Sequence, residues 1–574
     1  MNDKDLILQN DIKYKYKLNI VNFNGSIIDV LYGMSAVGEY SINSDSLSRR
    51  STSFTMLLER RYRDEKISVE DKLYSWIGYN FILYIGVYDI RNVEYIWFPC
   101  GKYTITEANT SYSASENSIT VNLTDLFSKL DGTKNGVIAG ATNTVIRNVD
   151  ENGNMITIKN VIISLLKKLN TLKIIKGWNV TEVGELNGID KFNKDYMKYR
   201  KLHPEWNQLP YDLSYDIGSS YGDIISDITE LYPYCQSYFD ERGTFNFKIV
   251  PIAKKEIFEM DSEEHIIYPT PELTNDYIQK ILLAESTESV DYDITTIKNI
   301  TQVFGKSYDI DYYIDIDDEL DLNTYDHADI SYSKNNDCYE IGYSVNGEYY
   351  DSYEVGDIFC IKIKDTNDFE NMSIKINNLV PLSIVNQSTK YPIEINEIAA
   401  NEFHNFIIGF VSNDGQTGDG HGNYVMYYLG QYQPMAMCIL SDGSVSYEKS
   451  YFAEKYNCNE KYIKIRIDEK SPFSIEKIGE IINIKSGDSF DNILSSSMAL
   501  YNAEYYNKQS TTMMETITIS TKMIPFLDVS KVVTYKKANS DNEQYYMIKS
   551  ISNNLEQMTS SITMYRFNEN EYII

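Results

Sequence analysis

The stretch from Gly101 to Gly132, GKYTITEANTSYSASENSITVNLTDLFSKLDG, constrains the fold more than any other part of the chain. Tyr103 and Ile105 alternate with Thr104 and Thr106, and Ile119, Val121 and Leu123 alternate with Thr120 and Asn122. A period of two is the pattern of a strand with one buried and one wet face, so the segment predicts a hairpin with its polar tip in NTSYSASEN. Leu126, Phe127 and Leu130, after Asp125, predict one helical turn folded back on the strands as a lid. Upstream, YKYKLNIVNF and STSFTMLLER read as further strands, so residues 1–135 are expected to form an all-β barrel or sandwich.

The period then changes. Ile158, Val161, Ile162, Leu165, Leu166 and Leu169 recur at helical spacing, as do Ile224, Ile225, Ile228 and Leu231 between Gly222 and Leu231. The second helix leads into SYFDERGTFNFKIV, a hairpin turning at Glu241 to Gly243, which makes 136–250 a mixed α/β domain. Strands resume in 251–338, and 339–445 is purely strand and turn, an inserted β module. In 446–574 a long helix is predicted from Ser489 to about Lys508, capped by Asp488 or Ser489, with Phe490, Leu494, Met498, Tyr501 and Tyr505 along one stripe. A closing hairpin pairs QYYMIKSIS with SSITMYRF. A chain of 574 residues is too long for one ordinary core, so several domains are expected.

Charge excludes some functions. With 53 basic against 83 acidic residues, a formal charge of -30, the chain is ill suited to neutralising phosphates or docking on anionic lipid. The six cysteines lie far apart, at neither metal-ligand nor dense disulfide spacing, and are expected to be reduced core residues. MNDKDLILQN lacks a basic-then-apolar leader and no apolar run approaches the ~20 residues that span a bilayer, so cytoplasmic synthesis without a membrane anchor is expected. The 50 tyrosines fit codon bias in an AT-rich genome, half-buried sheet surfaces, or both.

Three places invite chemistry. GSSYG at Gly218 to Gly222 matches G-x-S-x-G with Ser220 as nucleophile, and His265, His327, His404 and His421 lie downstream. Yet a serine here is equally what a helix start asks for, and LPYDLSYDI is not an apolar buried strand. The run Asp309, Asp311, Asp315, Asp317, Asp318, Glu319 and Asp321 suits calcium or a solvated acidic strand, and it lacks the glycine of a calcium loop. The loop with Asp414, Asp419 and His421 reads as a metal site or as a hairpin tip. No phosphate loop, dinucleotide fingerprint, H-E-x-x-H or paired-cysteine motif appears, so no catalytic residue, cofactor or metal ligand is assigned and no enzyme is expected.

The C-terminal text SPFSIEKIGEI, DSFDNILSSSMALYNAEYY, ETITISTKMIPFLDVSKVVTY, YYMIKSIS and SSITMYRF resembles the end of phage tail-hub proteins, the family at the tail tip or baseplate centre of long-tailed phages. Its marks are the turn holding Pro525, Leu527 and Asp528 and, near the N-terminus, INSDSLSRRSTSFTML with Arg49 and Arg50. IWFPCGKYTIT through TDLFSKLDG and YFDERGTFNF resemble further family hairpins, and YEVGDIFCIKI through YYLGQYQPMAM resembles a β module inserted in some members.

The resemblance implies a mainly β chain with α+β parts: two tube-like β-barrels, a mixed α/β domain and an inserted β-sandwich-like module. It implies a homotrimer presenting six barrels in a ring, which joins a sixfold tail tube or distal tail hexamer to threefold tip or spike proteins and leaves a channel for DNA that is not specifically bound. The alternative is a host-surface glycan-binding protein acting through 339–445, with Tyr349 and Tyr350 or Tyr427 and Tyr428 stacking on sugars.

Overall fold

The computed structural model describes residues 3–58, 76, 78–112, 117–140, 144–148, 150, 154–180, 208–250, 259–260, 266–267, 271–284, 288–316, 328–335, 337–345, 348–387, 392–393, 395–411, 423–431, 433–443, 449–456, 458–469, 471–511 and 513–567. The protein is mainly β with α+β parts.

Alternation in Tyr14–Val21 and Asn80–Asp89 buries Tyr16, Leu18 and Ile20 and also Phe81, Leu83, Ile85 and Val87. Strand Asn80–Asp89 continues the pairing to Glu94–Tyr112, then Asn117–Asp125, Arg50–Leu58 and Ile27–Asn43, and the last strand returns to Tyr14–Val21. The six strands therefore close on themselves as a barrel. The predicted hairpin forms part of this wall, with Tyr103, Ile105, Ile119, Val121 and Leu123 buried.

The lid forms too, as a 3-10 turn over Leu126–Lys129, with the Asp125 carboxylate accepting from the Phe127 amide at 2.9 Å. It changes the expected wet face. Thr104 is buried beneath it, its hydroxyl 3.1 Å from that of Ser128, while Thr106 stays exposed.

Strand Ile27–Asn43 belongs to two units. Its residues 27–33 pair with Tyr14–Val21, and its residues 39–43 pair with Gln544–Asn554. Between them Gly38 has φ +123°, and a Cβ there would stand 2.4 Å from the Ser53 carbonyl oxygen, so the crossing needs glycine. From Gln544–Asn554 the sheet runs on through Thr559–Arg566 and Met514–Lys522 to Ser289–Asp293, with Val532–Tyr535 on the free flank of Gln544–Asn554. Segment 271–283 spans the remaining gap. Glu272 and Leu273 bond to Val532 and Thr534, helix Asn275–Ile281 crosses with Ile278 and Ile281 inward, and the Leu283 amide donates to the Ser520 carbonyl. This second, nearly closed barrel shares one continuous core with the first, in which Phe54 and Val121 belong with Ile517 and Ile548.

The mixed part carries both predicted helices, Ile158–Thr171 and Tyr221–Leu231, with the expected apolar faces buried. They pack with the three-stranded sheet of Trp178–Val180, Cys235–Phe239 and Phe245–Ile249. Strands Ile300–Phe304 and Met435–Ser441 are antiparallel partners, so the chain leaves for the nine-stranded module and returns from it at one place. There the Gly305 amide donates to Pro434 O at 2.7 Å, and a Cβ on Gly305 would stand 2.2 Å from Ile493 O.

The predicted helix from Ser489 begins later. Asp488–Asn492 is a 3-10 turn, Ile493 is extended, and the helix proper is Ser496–Ser510, capped by Ser495. Tertiary partners take the backbone groups that an early start would use. The Tyr211 hydroxyl donates to Asn492 O and accepts from the Leu494 amide, and the Lys306 amide donates to Ile493 O.

Candidate functional site

Arg49 and Arg50 stand at the start of a wall strand of the first barrel, where Ile42 pairs with Arg50. Both are buried. Arg50 Nη2 donates to Asp528 Oδ2 at 2.6 Å, tying the first barrel to the Ile524–Asp528 turn of the second. That turn is set by the Leu527 amide bonding to Ile524 O at 3.2 Å, with Leu527 in the shared core and Phe526 packed 5.6 Å from Phe98. Pro525 lends its carbonyl to the Cys100 thiol at 3.8 Å.

Arg49 points to the mixed domain. Its guanidinium lies 3.6 Å above the Tyr238 ring and donates to the Gln236 side-chain oxygen, which also accepts from Ser530 Oγ at 3.3 Å. Gln236 thus receives one donor from each barrel. All five residues singled out in the sequence, Arg49, Arg50, Pro525, Leu527 and Asp528, meet in one seam, and a cleft of about 230 Å³ opens beside Arg50 and the turn.

The electrostatics follow from burial. Burial lowers Arg49 to about 10, with Tyr238 and Asp528 offsetting only part of the lost solvation. Arg50 loses as much water, yet the adjacent Asp528 reverses the balance and pushes its pKa up. Asp125, buried at the foot of the lid, is raised by burial to about 7 against the pull of the Phe127 amide and both arginines. The arrangement holds charge in fixed places and so locks three parts of the chain in one geometry.

Gln236, Tyr238 and Ser530 carry no sequence signal, being ordinary alternating or turn residues. Asp125 had one, as the residue before the lid.

Ser220 is a helix cap. Its hydroxyl accepts from the Asp223 amide at 3.0 Å, and Asp223 Oδ2 accepts from the Ser220 amide at 2.7 Å. His404, the downstream histidine among the described residues, is held instead by Tyr428 and Ala399 O. His265, His327 and His421 lie outside the described residues, as does the loop with Asp414 and Asp419.

In the acidic run, Asp311 accepts from the Ile358 amide and Asp315 pairs with Lys362 at 3.4 Å, beside strand Tyr312–Ile314. Asp317, Asp318, Glu319 and Asp321 lie outside the described residues. Of the tyrosine pairs, Tyr349 is exposed, Tyr350 packs on Tyr312 and Phe359, Tyr427 covers Gly409, and Tyr428 is buried beside His404.

A family model described as a domain of unknown function (DUF5048) matches residues 470–571, which include the Pro525–Asp528 turn and the closing hairpin. No curated protein matches. Among solved structures, the 43 kDa tail protein of prophage MuSo2 from Shewanella oneidensis is 8% identical with a TM-score of 0.39, covering 96% of this chain and 98% of its own. The tail protein from Neisseria meningitidis MC58 is 7% identical at 0.39, covering 96% and 97%. Prophage tail protein gp18 from Listeria monocytogenes EGD-e is 9% identical at 0.35, covering 97% and 95%. Two of these are described as prophage tail proteins and one as a tail protein. The chain is similar to each along nearly its whole length.

Proposed function

We propose that the protein is a structural part of a phage tail, a non-enzymatic hub at the tail tip or baseplate centre. One observation carries this reading. The sequence blocks that resemble tail hubs come from opposite ends of the chain, and they meet at the Arg50–Asp528 contact where two barrels join. A double-barrel unit locked in this way suits a homotrimer that presents six barrels to a sixfold tail tube or distal tail hexamer and threefold symmetry to tip or spike proteins.

In this reading residues 1–135 form the first barrel domain, 136–250 the mixed domain, 251–338 and 446–574 hold the two parts of the second barrel, and 339–445 is the insertion, whose sheet also takes in Tyr312–Ile314 and Ala328–Asn335 while Met435–Ser441 pairs back with Ile300–Phe304 of the body. Each barrel interior is packed with side chains, so the DNA passage lies between subunits of the ring. The formal charge of -30 favours a passage that does not hold DNA. The assembly site is the host bacterial cytoplasm and the final location the virion tail.

Light scattering on the purified chain over a wide concentration range tests the reading. A species near three times 66.3 kDa, ring-shaped with a central hole by electron microscopy, is expected. A strict monomer that also fails to label the tail tip of intact particles overturns it.

A further inference from the structure

Where the inserted module meets the rest of the chain there is a cleft of about 420 Å³, within the range of small-molecule sites. The module supplies Glu397, Glu402, His404 and Tyr428, and the body supplies Asn459 and Tyr462.

The polar groups are set in advance. His404 is buried in strand Glu402–Val411, with Nε2 2.8 Å from the Ala399 carbonyl oxygen, a contact only an N–H can make. Nδ1 lies 3.1 Å from the Tyr428 hydroxyl and, in the neutral ring, accepts a hydrogen bond from it. Tyr428 oxygen is thereby left as an acceptor. Glu397, Glu402 and Tyr462 line the same cleft as Tyr428. The Asn386 amide orients the Glu397 carboxylate, and the Asn459 amide reaches from the body to orient Glu402.

Carboxylate and phenol acceptors beside amide donors, bounded by tyrosine rings, match a ligand whose groups both donate and accept and whose body is partly apolar. Hydroxyls on a sugar ring have this character. We propose that the cleft binds a saccharide unit, with Glu397 and Glu402 as the principal acceptors. The tail-hub reading and this one stand or fall separately, because the cleft lies within one chain.

The test is calorimetric titration of the full chain at pH 7 with N-acetylglucosamine, galactose and rhamnose, and with lysine methyl ester as a cationic comparison. The Glu397→Gln/Glu402→Gln variant keeps both amide contacts available and removes the charge. At least one sugar is expected to bind, and to bind at least about tenfold more weakly to the variant, since bonds to charged acceptors are the strong ones. If the double variant does not fold, Glu402→Gln alone is read in the same way. No heat with any of the three sugars, equal binding by variant and wild type, or binding of the lysine ester alone overturns the proposal. Molecular mass measured on the same samples reports on the trimer independently.

Discussion

Arg50 Nη2 lies 2.6 Å from Asp528 Oδ2, although 478 positions separate the two residues along the chain. Arg50 is 2% exposed, so without Asp528 it would be a buried charge with its main partner gone. Asp528→Ala is expected to cost about 3–5 kcal/mol of stability. Replacing both residues by apolar ones, Arg50→Met with Asp528→Leu, should cost much less than the sum of the singles. Urea unfolding of the four proteins measures this, and additive single losses would remove the idea that the pair acts as a unit.

Ser220→Ala should lower stability by about 1 kcal/mol, and Ser220→Asn should restore most of it, because asparagine caps a helix as well as serine does. Thermal unfolding reads the effect. Hydrolysis of p-nitrophenyl acetate should be the same for Ser220→Ala and wild type; a Ser220-dependent rate would return the nucleophile reading.

Burial lowers His404 from 6.5 to about 4. The unfolded chain therefore takes up this proton before the folded chain does. His404 accordingly contributes full stability above pH 6.5, and that contribution falls as pH drops towards 4. The loss reaches roughly 3 kcal/mol at the acid end. Glu397 and Glu402 face the same cleft, so the comparison is with His404→Gln. Urea midpoints between pH 7.5 and 4.5 should fall more steeply for wild type; parallel curves would sink the prediction.

Gly305→Ala should cost about 1–3 kcal/mol, since the new methyl meets a backbone oxygen that the Lys306 amide already holds. Proteolysis at the module junction should quicken with it. An unchanged unfolding midpoint and digestion pattern would show that the junction yields without loss.

Much of this fold is legible in the sequence. The strand pairs Glu94–Tyr112 with Asn117–Asp125 and Gln544–Asn554 with Thr559–Arg566 were written in alternation, and helices Ile158–Thr171 and Tyr221–Leu231 in 3.6-residue spacing. The start of helix Ser496–Ser510 was not legible. Its surroundings bury Asn502, Glu504 and Asn507 along with its apolar side, so periodicity does not mark its face. Of the seam, Arg49, Arg50 and Asp528 stood out as residues, while Gln236 and Tyr238 looked like any strand positions.

The sequence by itself determined the buried faces of helices Ile158–Thr171 and Tyr221–Leu231 and the serine that starts the second, because these depend on side chains a few positions apart. Only the tertiary structure decided that Ile27–Asn43 serves two barrels, that Tyr211 and Lys306 take the backbone of 492–494, and that Arg50 finds Asp528. Such choices are made between segments hundreds of residues apart. A local pattern states that a group needs a partner, and packing selects which partner is within reach.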